Sequence, residues 1–263
     1  SLRLVGSEMC IRDSAEPETS QVGKSIPSVT TSQMIEVDRA MIEDFQISLV
    51  QMMENAGRNL AHLARRRFLH NDPRGSDVIV LAGTGGNGGG ALVAARRLAN
   101  YGANVTVVTT RTAESFKGVP RQQLEILYNM KIPVYQEDIL ESTSMAKRLI
   151  IDGLIGYSLR GAPRGSAATI IRWANAQNVP ILSLDVPSGV NGTTGAAHDP
   201  SIAASATMTL ALPKAGLLKD ELSSAVGELY LADISVPPAL YTGEELELAV
   251  GPIFAQDDIV RLR

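Results

Sequence analysis

The segment VIVLAGTGGNGGG at 78–90, an apolar run passing directly into glycines, constrains this chain more than any other feature. The run is short, rich in β-branched residues and uninterrupted, which suits a strand buried on both faces. The stretch from Gly83 to Gly90 carries few Cβ atoms, so it can turn sharply and bring successive backbone N–H groups toward an anion. A helix starting after it adds the positive end of its dipole. The segment therefore reads as a phosphate cradle between a strand and a helix. It is not a Walker A loop, because no Lys-Ser or Lys-Thr follows, and its spacing does not end like the usual dinucleotide fingerprint.

The same alternation continues downstream. After the strand at 78–83 the pattern predicts a helix from Gly89 to Tyr101, a strand over 104–110, a helix from Gln122 to Asn129, a strand from Lys147 to Ile151, a helix from Ala167 to Ala176 and a strand from Ile181 to Leu184. Strands at Thr207 to Leu212 and Gly227 to Ile234 follow without long helices between them, so the far edge of the sheet is finished by shorter crossovers. Two helices precede the first strand. One is N-capped by Thr31 or Ser32 and carries Met34, Val37, Met41 and Ile42 at helical spacing; the other runs from about Leu49 to Phe68. The basic end of the second, Arg65 to Arg67, suits the negative end of a helix dipole and reads as structural. The whole predicts an α/β fold on a mostly parallel sheet.

A chain of 263 residues with 44% hydrophobic and 20% charged residues can bury the core such a fold needs. Residues 28–263 read as one domain. Residues 1–27 are set apart: Ser1 to Ser14 has no useful periodicity and resembles a translated adapter sequence, and 15–27 reads as a flexible lead-in. With 24 basic against 28 acidic residues, the net charge of -4 gives no reason to expect nucleic acid as partner. No window approaches the roughly 18 consecutive apolar residues of a membrane span. Cys10 is the only cysteine, which excludes an intrachain disulfide framework and fits a cytoplasmic location.

In an open parallel sheet, ligands bind beyond the carboxyl ends of the strands, where strand order reverses. Three loops leave strands at that edge: Gly83 to Gly90, Asp152 to Gly165, and Asp185 to Gly189. Asp185 and Ser188 could form a local turn and no more. With Asn87 and Asp152 at the same edge, however, the set offers amide, carboxylate and hydroxyl oxygens, the hard ligands of an alkali or alkaline-earth cation. His62, His70 and His198 read as ordinary surface or core residues.

The ordered set TSQMIEVDRAMIEDF, MMENAG (52–57), AGTGGNGGGALVAARRLANYGANVTVV (82–108), IDGLIGYSLRGAPRG (151–165), DVPSGVNGTTG (185–195) and LPKAG (212–216) resembles the NAD(P)H-hydrate epimerase family. The resemblance runs from about residue 30 to 235. It implies a Rossmann-like three-layer sandwich that interconverts the R and S forms of hydrated NADH and NADPH (NADHX and NADPHX) with a potassium ion beside the substrate. Position by position it makes Gly86, Asn87, Gly88, Gly89 and Gly90 substrate contacts, together with the loop Gly156, Tyr157, Ser158, Leu159, Arg160, Gly161 and Ala162, and with Asp185. It makes Asn87, Asp152 and Ser188 the potassium ligands. Gly86 and Gly90 stand where the family usually carries an asparagine and an aspartate, and Ala91 where it carries a glycine.

Larger relatives add a dehydratase domain. This chain ends soon after the last matched segment, so a separate NAD(P)H-hydrate dehydratase is the expected pathway partner, with homodimer formation left open. For the chemistry, one carboxyl group that gives and then takes a proton suffices, and Asp185 at a strand end is the candidate. Two other classes compete: a non-catalytic nucleotide-binding or scaffold protein on the same fold, and an NAD-dependent dehydrogenase. The latter is disfavoured because the strand after the glycines ends in Thr-Thr-Arg and not in a ribose-binding acid.

Overall fold

The computed structural model describes residues 26–141 and 148–263; the readings given above for 1–25 and for the strand start at Lys147 lie outside them. An eight-stranded sheet forms the middle layer. Its strands are β1 (Asp77–Ala82), β2 (Asn104–Thr109), β3 (Val134–Tyr135), β4 (Leu149–Gly153), β5 (Ile181–Leu184), β6 (Ala206–Leu210), β7 (Glu228–Ala232) and β8 (Ile259–Arg261). The spatial order is β3-β2-β1-β4-β5-β6-β7-β8, parallel throughout except for β8, which runs against β7. Order therefore reverses between β1 and β4.

Burial on both faces follows from the period of two along each strand. Val78, Val80, Leu149, Ile151, Leu182 and Met208 join one core with the helices α2 (Leu49–Leu63), α3 (Gly86–Asn100) and α4 (Gly118–Asn129). Their neighbours Ile79, Leu81, Val108, Ile150 and Ile181 point the other way, against α5 (Ser166–Asn175). The three-layer α/β sandwich expected from sequence is the fold observed. Helix α1 (Thr31–Glu43) stands apart, packed with Leu212, Ile234 and Tyr241 over the end of the sheet.

Several boundaries differ from the sequence reading. The cap of α1 is Thr30, not Thr31 or Ser32, because Gln33 in the third helical position bonds back to the Thr30 N–H and completes a reciprocal pair. Packing begins before that helix: Val29 is fully buried and pairs with the segment at Lys214, and Ile26 leans on the same cluster. Helix α2 continues into a π-helical turn at Ala64–Phe68. Its arginines are structural, as read, through partners the dipole argument did not name: Arg67 pairs with Glu228 of β7 and Arg66 with Asp257, while Arg65 stacks over Tyr101. Helix α3 starts three residues earlier than expected, inside the glycine run, where the Gly89 N–H already reaches the Gly85 carbonyl at 3.0 Å. The edge strands β3 and β8 are too short to leave a period in the sequence.

Candidate active site

A cavity of about 610 Å³ opens at the point where strand order reverses. The end of β1 supplies one wall through Gly83 to Asn87, the loop after β4 supplies Leu154 to Ser158, and the end of β5 supplies Asp185. Helices α1 and α2 roof it with Met34, Ile42, Met52 and Met53.

The glycines divide by what surrounds them. A Cβ on Gly88 would stand 1.8 Å from the Gly83 carbonyl oxygen, and one on Gly89 would stand 2.4 Å from Met53 Sδ. Those two positions are bare so that the loop can fold back and α2 can pack on α3. Neither is among the residues that line the cavity. At Gly85 and Gly86 no atom lies within 4 Å of an added Cβ. These two face open space in the cavity, at the helix N-terminus, where backbone N–H groups have no intrahelical partner and the dipole favours an anion. Gly90 does line the cavity, but Leu184 Cδ2 stands 2.8 Å from where its Cβ would be. Leu184 has taken the room that a longer side chain would use.

Asp152 is the fourth residue of β4, inside the strand and not in the loop after it, and it is fully buried. Its Oδ1 accepts from Ser188 Oγ at 2.6 Å and the Leu154 N–H at 3.2 Å; its Oδ2 accepts from Ser183 Oγ at 2.8 Å and the Ser188 N–H at 2.9 Å. Burial pushes its carboxyl above the usual range, and these donors pull it back. Ser188 Oγ in turn accepts from the Ile155 N–H at 2.9 Å. Asp152 and Ser188 thus meet directly behind the wall that Leu154 and Ile155 present. Asn87 packs on the same loop, its Cβ 3.2 Å from the point where a Cβ of Gly156 would stand, and its buried Nδ2 has no partner. A half-turn of that amide would put an acceptor oxygen in its place. The donor set of amide, carboxylate and hydroxyl oxygens with one negative charge fits an alkali cation better than a transition metal, and among the described residues no group of three or more His, Cys, Asp or Glu converges.

Asp185 follows β5 in a tight turn. Its φ is 64°, and the Val186 N–H donates to the Leu184 carbonyl across it at 2.8 Å, a γ-turn of the rare left-handed kind. This turn aims the side chain into the cavity. Oδ1 accepts from Lys214 Nζ, from Thr209 Oγ1 at 3.3 Å and from the Leu210 N–H at 3.2 Å. These bonds all fall on Oδ1, and Asp185 lines the cavity. Lys214 is wholly buried, and its Nζ also donates to the Leu210 carbonyl and lies 5.9 Å from the centre of the Tyr157 ring. The sequence reading missed this lysine as a site residue. Its signal was present: a single charge inside ALPKAGLL, where an unpaired lysine would be costly to bury.

Of the loop after β4, Gly156, Tyr157 and Ser158 line the cavity, whereas Leu159, Arg160, Gly161 and Ala162 lie outside its lining. The sequence reading also missed Asp38 of α1, which lines the cavity and accepts a hydrogen bond from the Tyr157 hydroxyl.

The family model described as YjeF-related protein N-terminus matches residues 49–216. The chain is 42% identical to the NAD(P)H-hydrate epimerase of Dehalogenimonas lykanthroporepellens over 238 residues, which is 90% of this chain and 94% of that protein. It is 33% identical to the bifunctional NAD(P)H-hydrate repair enzyme Nnr of Moorella thermoacetica over 81% of this chain, spanning 41% of that longer protein. Among solved structures it resembles yeast ynu0 (YNL200c), with a TM-score of 0.75 and 26% identity, covering 90% of this chain and 100% of that one.

Proposed function

The chain belongs to the family of the YjeF-related protein N-terminus, and from that premise we propose that it is an NAD(P)H-hydrate epimerase, interconverting the R and S forms of hydrated NADH and NADPH at the cavity between β1 and β4. The observation that carries this reading is the Asp185 carboxylate, bonded through Oδ1, lining a cavity that also presents a helix N-terminus at Gly85 and Gly86. The helix end suits the pyrophosphate of the nucleotide, and the carboxylate suits the carbon that inverts.

Inversion at C6 of the hydrated nicotinamide ring proceeds by loss of the C6 hydroxyl as water, pushed by the ring-nitrogen lone pair, and return of water to the opposite face. The departing oxygen gains a proton and the returning water loses one. Asp185 serves as an acid–base group in this exchange, held in place by Lys214, Thr209 and the Leu210 N–H. A potassium ion held by Asn87, Asp152 and Ser188 would supply positive charge beside the phosphates and brace the loop after β4. The hard oxygen donors and the unpartnered Asn87 amide support that assignment. The S form is the one a separate dehydratase consumes, and a stand-alone dehydratase is the proposed pathway partner. Among the described residues no helix is long and apolar enough to cross a membrane.

The test is a time course on separated epimers. Purified R form incubated with the protein should approach the equilibrium mixture far faster than in buffer, and the S form should do so from the other side. Identical curves with and without protein would refute the assignment.

A further inference from the structure

Helix α1 turns one face to the cavity, and the residues on it are Met34, Asp38 and Ile42, spaced by single helical turns. Two are apolar, so the carboxylate between them calls for an explanation. Its Oδ2 accepts from the Tyr157 hydroxyl, which comes from the loop after β4. The helix is fixed where it lies. The Val29 N–H donates to the Pro213 carbonyl at 2.9 Å, the Ala215 N–H returns a bond to Val29 at 2.9 Å, and the Thr31 N–H donates to Thr193 Oγ1 at 2.8 Å. Asp38 is therefore placed against the same segment that carries Lys214.

Inversion poses a geometric problem that a single carboxylate serves poorly. The hydroxyl leaves from one face of the ring and water arrives on the other, so proton donor and acceptor are wanted on opposite faces. Asp185 reaches the cavity from the turn after β5 and Asp38 from α1, two different elements that both line it. We infer that Asp38, hydrogen-bonded to Tyr157, is the second acid–base group of the epimerisation, working on the ring face opposite Asp185. Burial raises the Asp38 carboxyl above its ordinary range, against the opposing pull of the Tyr157 hydrogen bond and the Lys214 charge, which suits a group that must hold a proton before it gives it.

The step balances. Protonated Asp38 delivers its proton to the C6 oxygen, the C6–O bond breaks and water departs, and the ring-nitrogen lone pair forms the C6–N double bond. Water then adds from the other face, its second proton passes to the Asp185 carboxylate, and the electron pair returns to nitrogen. The reverse turnover uses the two groups in exchanged roles.

This inference rests on the epimerase reading, and the experiment separates the two. Each purified epimer is incubated in ¹⁸O-labelled water with wild-type protein, Asp38→Asn or Asp185→Asn, and both inversion and label uptake into the unreacted epimer are followed against a protein-free control. With one group left, loss and return of water can occur only on that group's face. Asp38→Asn should lose inversion by on the order of 10²-fold yet still exchange label into one epimer, and Asp185→Asn should exchange label into the other. Tyr157→Phe, which keeps the ring and removes the hydroxyl, should slow inversion without abolishing it. Wild-type inversion rates in Asp38→Asn, or loss of exchange into both epimers by that variant while it still binds NADPH, would overturn the role of Asp38 and leave the epimerase reading standing. No acceleration by the wild-type protein would remove both.

Discussion

Asp185 occupies a backbone conformation that few side chains accept. At φ 64° an aspartate or asparagine is tolerated, whereas a β-branched residue pays a strain of about 1–3 kcal/mol. The strain persists because the bonds on Oδ1 and the fully buried ammonium of Lys214 over-determine the geometry. Removing one member of such a pair is worse than removing both, since a buried charge is left without compensation. Lys214→Met should therefore cost about 3–5 kcal/mol in denaturant unfolding. The double variant Lys214→Met with Asp185→Asn should recover a substantial part of that loss. Strict additivity of the two single variants would show that the pair is not coupled. At this scale the sequence was partly legible: Asp185, Asp152, Ser188 and Asn87 stand out by type and by position at strand ends. Lys214 left only the trace of a lone charge in an apolar run and Asp38 none, because each acquires its meaning from a partner distant in the chain.

At the scale of elements, the glycine run is both a ligand surface and a packing device. Sequence pattern announced a glycine-rich turn after β1 but could not apportion the two roles, since that depends on which glycine meets α2, which meets Gly83 and which meets nothing. Gly88→Ala should destabilise the protein by about 1–3 kcal/mol or more, because the added methyl would collide with backbone that has no freedom to yield. Gly86→Ala should stay within about 1 kcal/mol of the parent, as the methyl enters open space. Thermal or chemical unfolding of the two variants side by side measures the difference, and equal losses would contradict the division. Strands and helices with a full period were legible because burial on both faces forces continuous apolar runs. The start of α3 and the edge strands β3 and β8 were not, for glycine carries no helical signal and a two- or three-residue strand carries no period.

At the scale of the molecule, the reversal of strand order between β1 and β4 gathers three sequence-distant loops without any special pairing between them. That convergence was legible once the alternation was recognised, and it brings Asp152 and Ser188, two residues of the proposed cation site, into contact. If potassium is held as proposed, it should raise the melting temperature of the protein with bound NADPH more than lithium at equal concentration, because the small lithium ion holds its own water more tightly than protein oxygens can replace it. Equal melting temperatures in the two salts, with and without nucleotide, would remove the ion from the account.

The central claim is that this cavity inverts C6 of hydrated nicotinamide nucleotides through Asp185. It is tested most directly by offering an equilibrated R/S mixture to an S-specific dehydratase and following the R form that remains. With the wild-type protein added, the residual R form should be consumed at a rate proportional to protein concentration. With Asp185→Asn that rate should fall on the order of 10²-fold or more, while nucleotide affinity changes by no more than about tenfold, or 1.4 kcal/mol. Consumption of the R form at the spontaneous rate with wild-type protein present, or at the wild-type rate with Asp185→Asn, would contradict it.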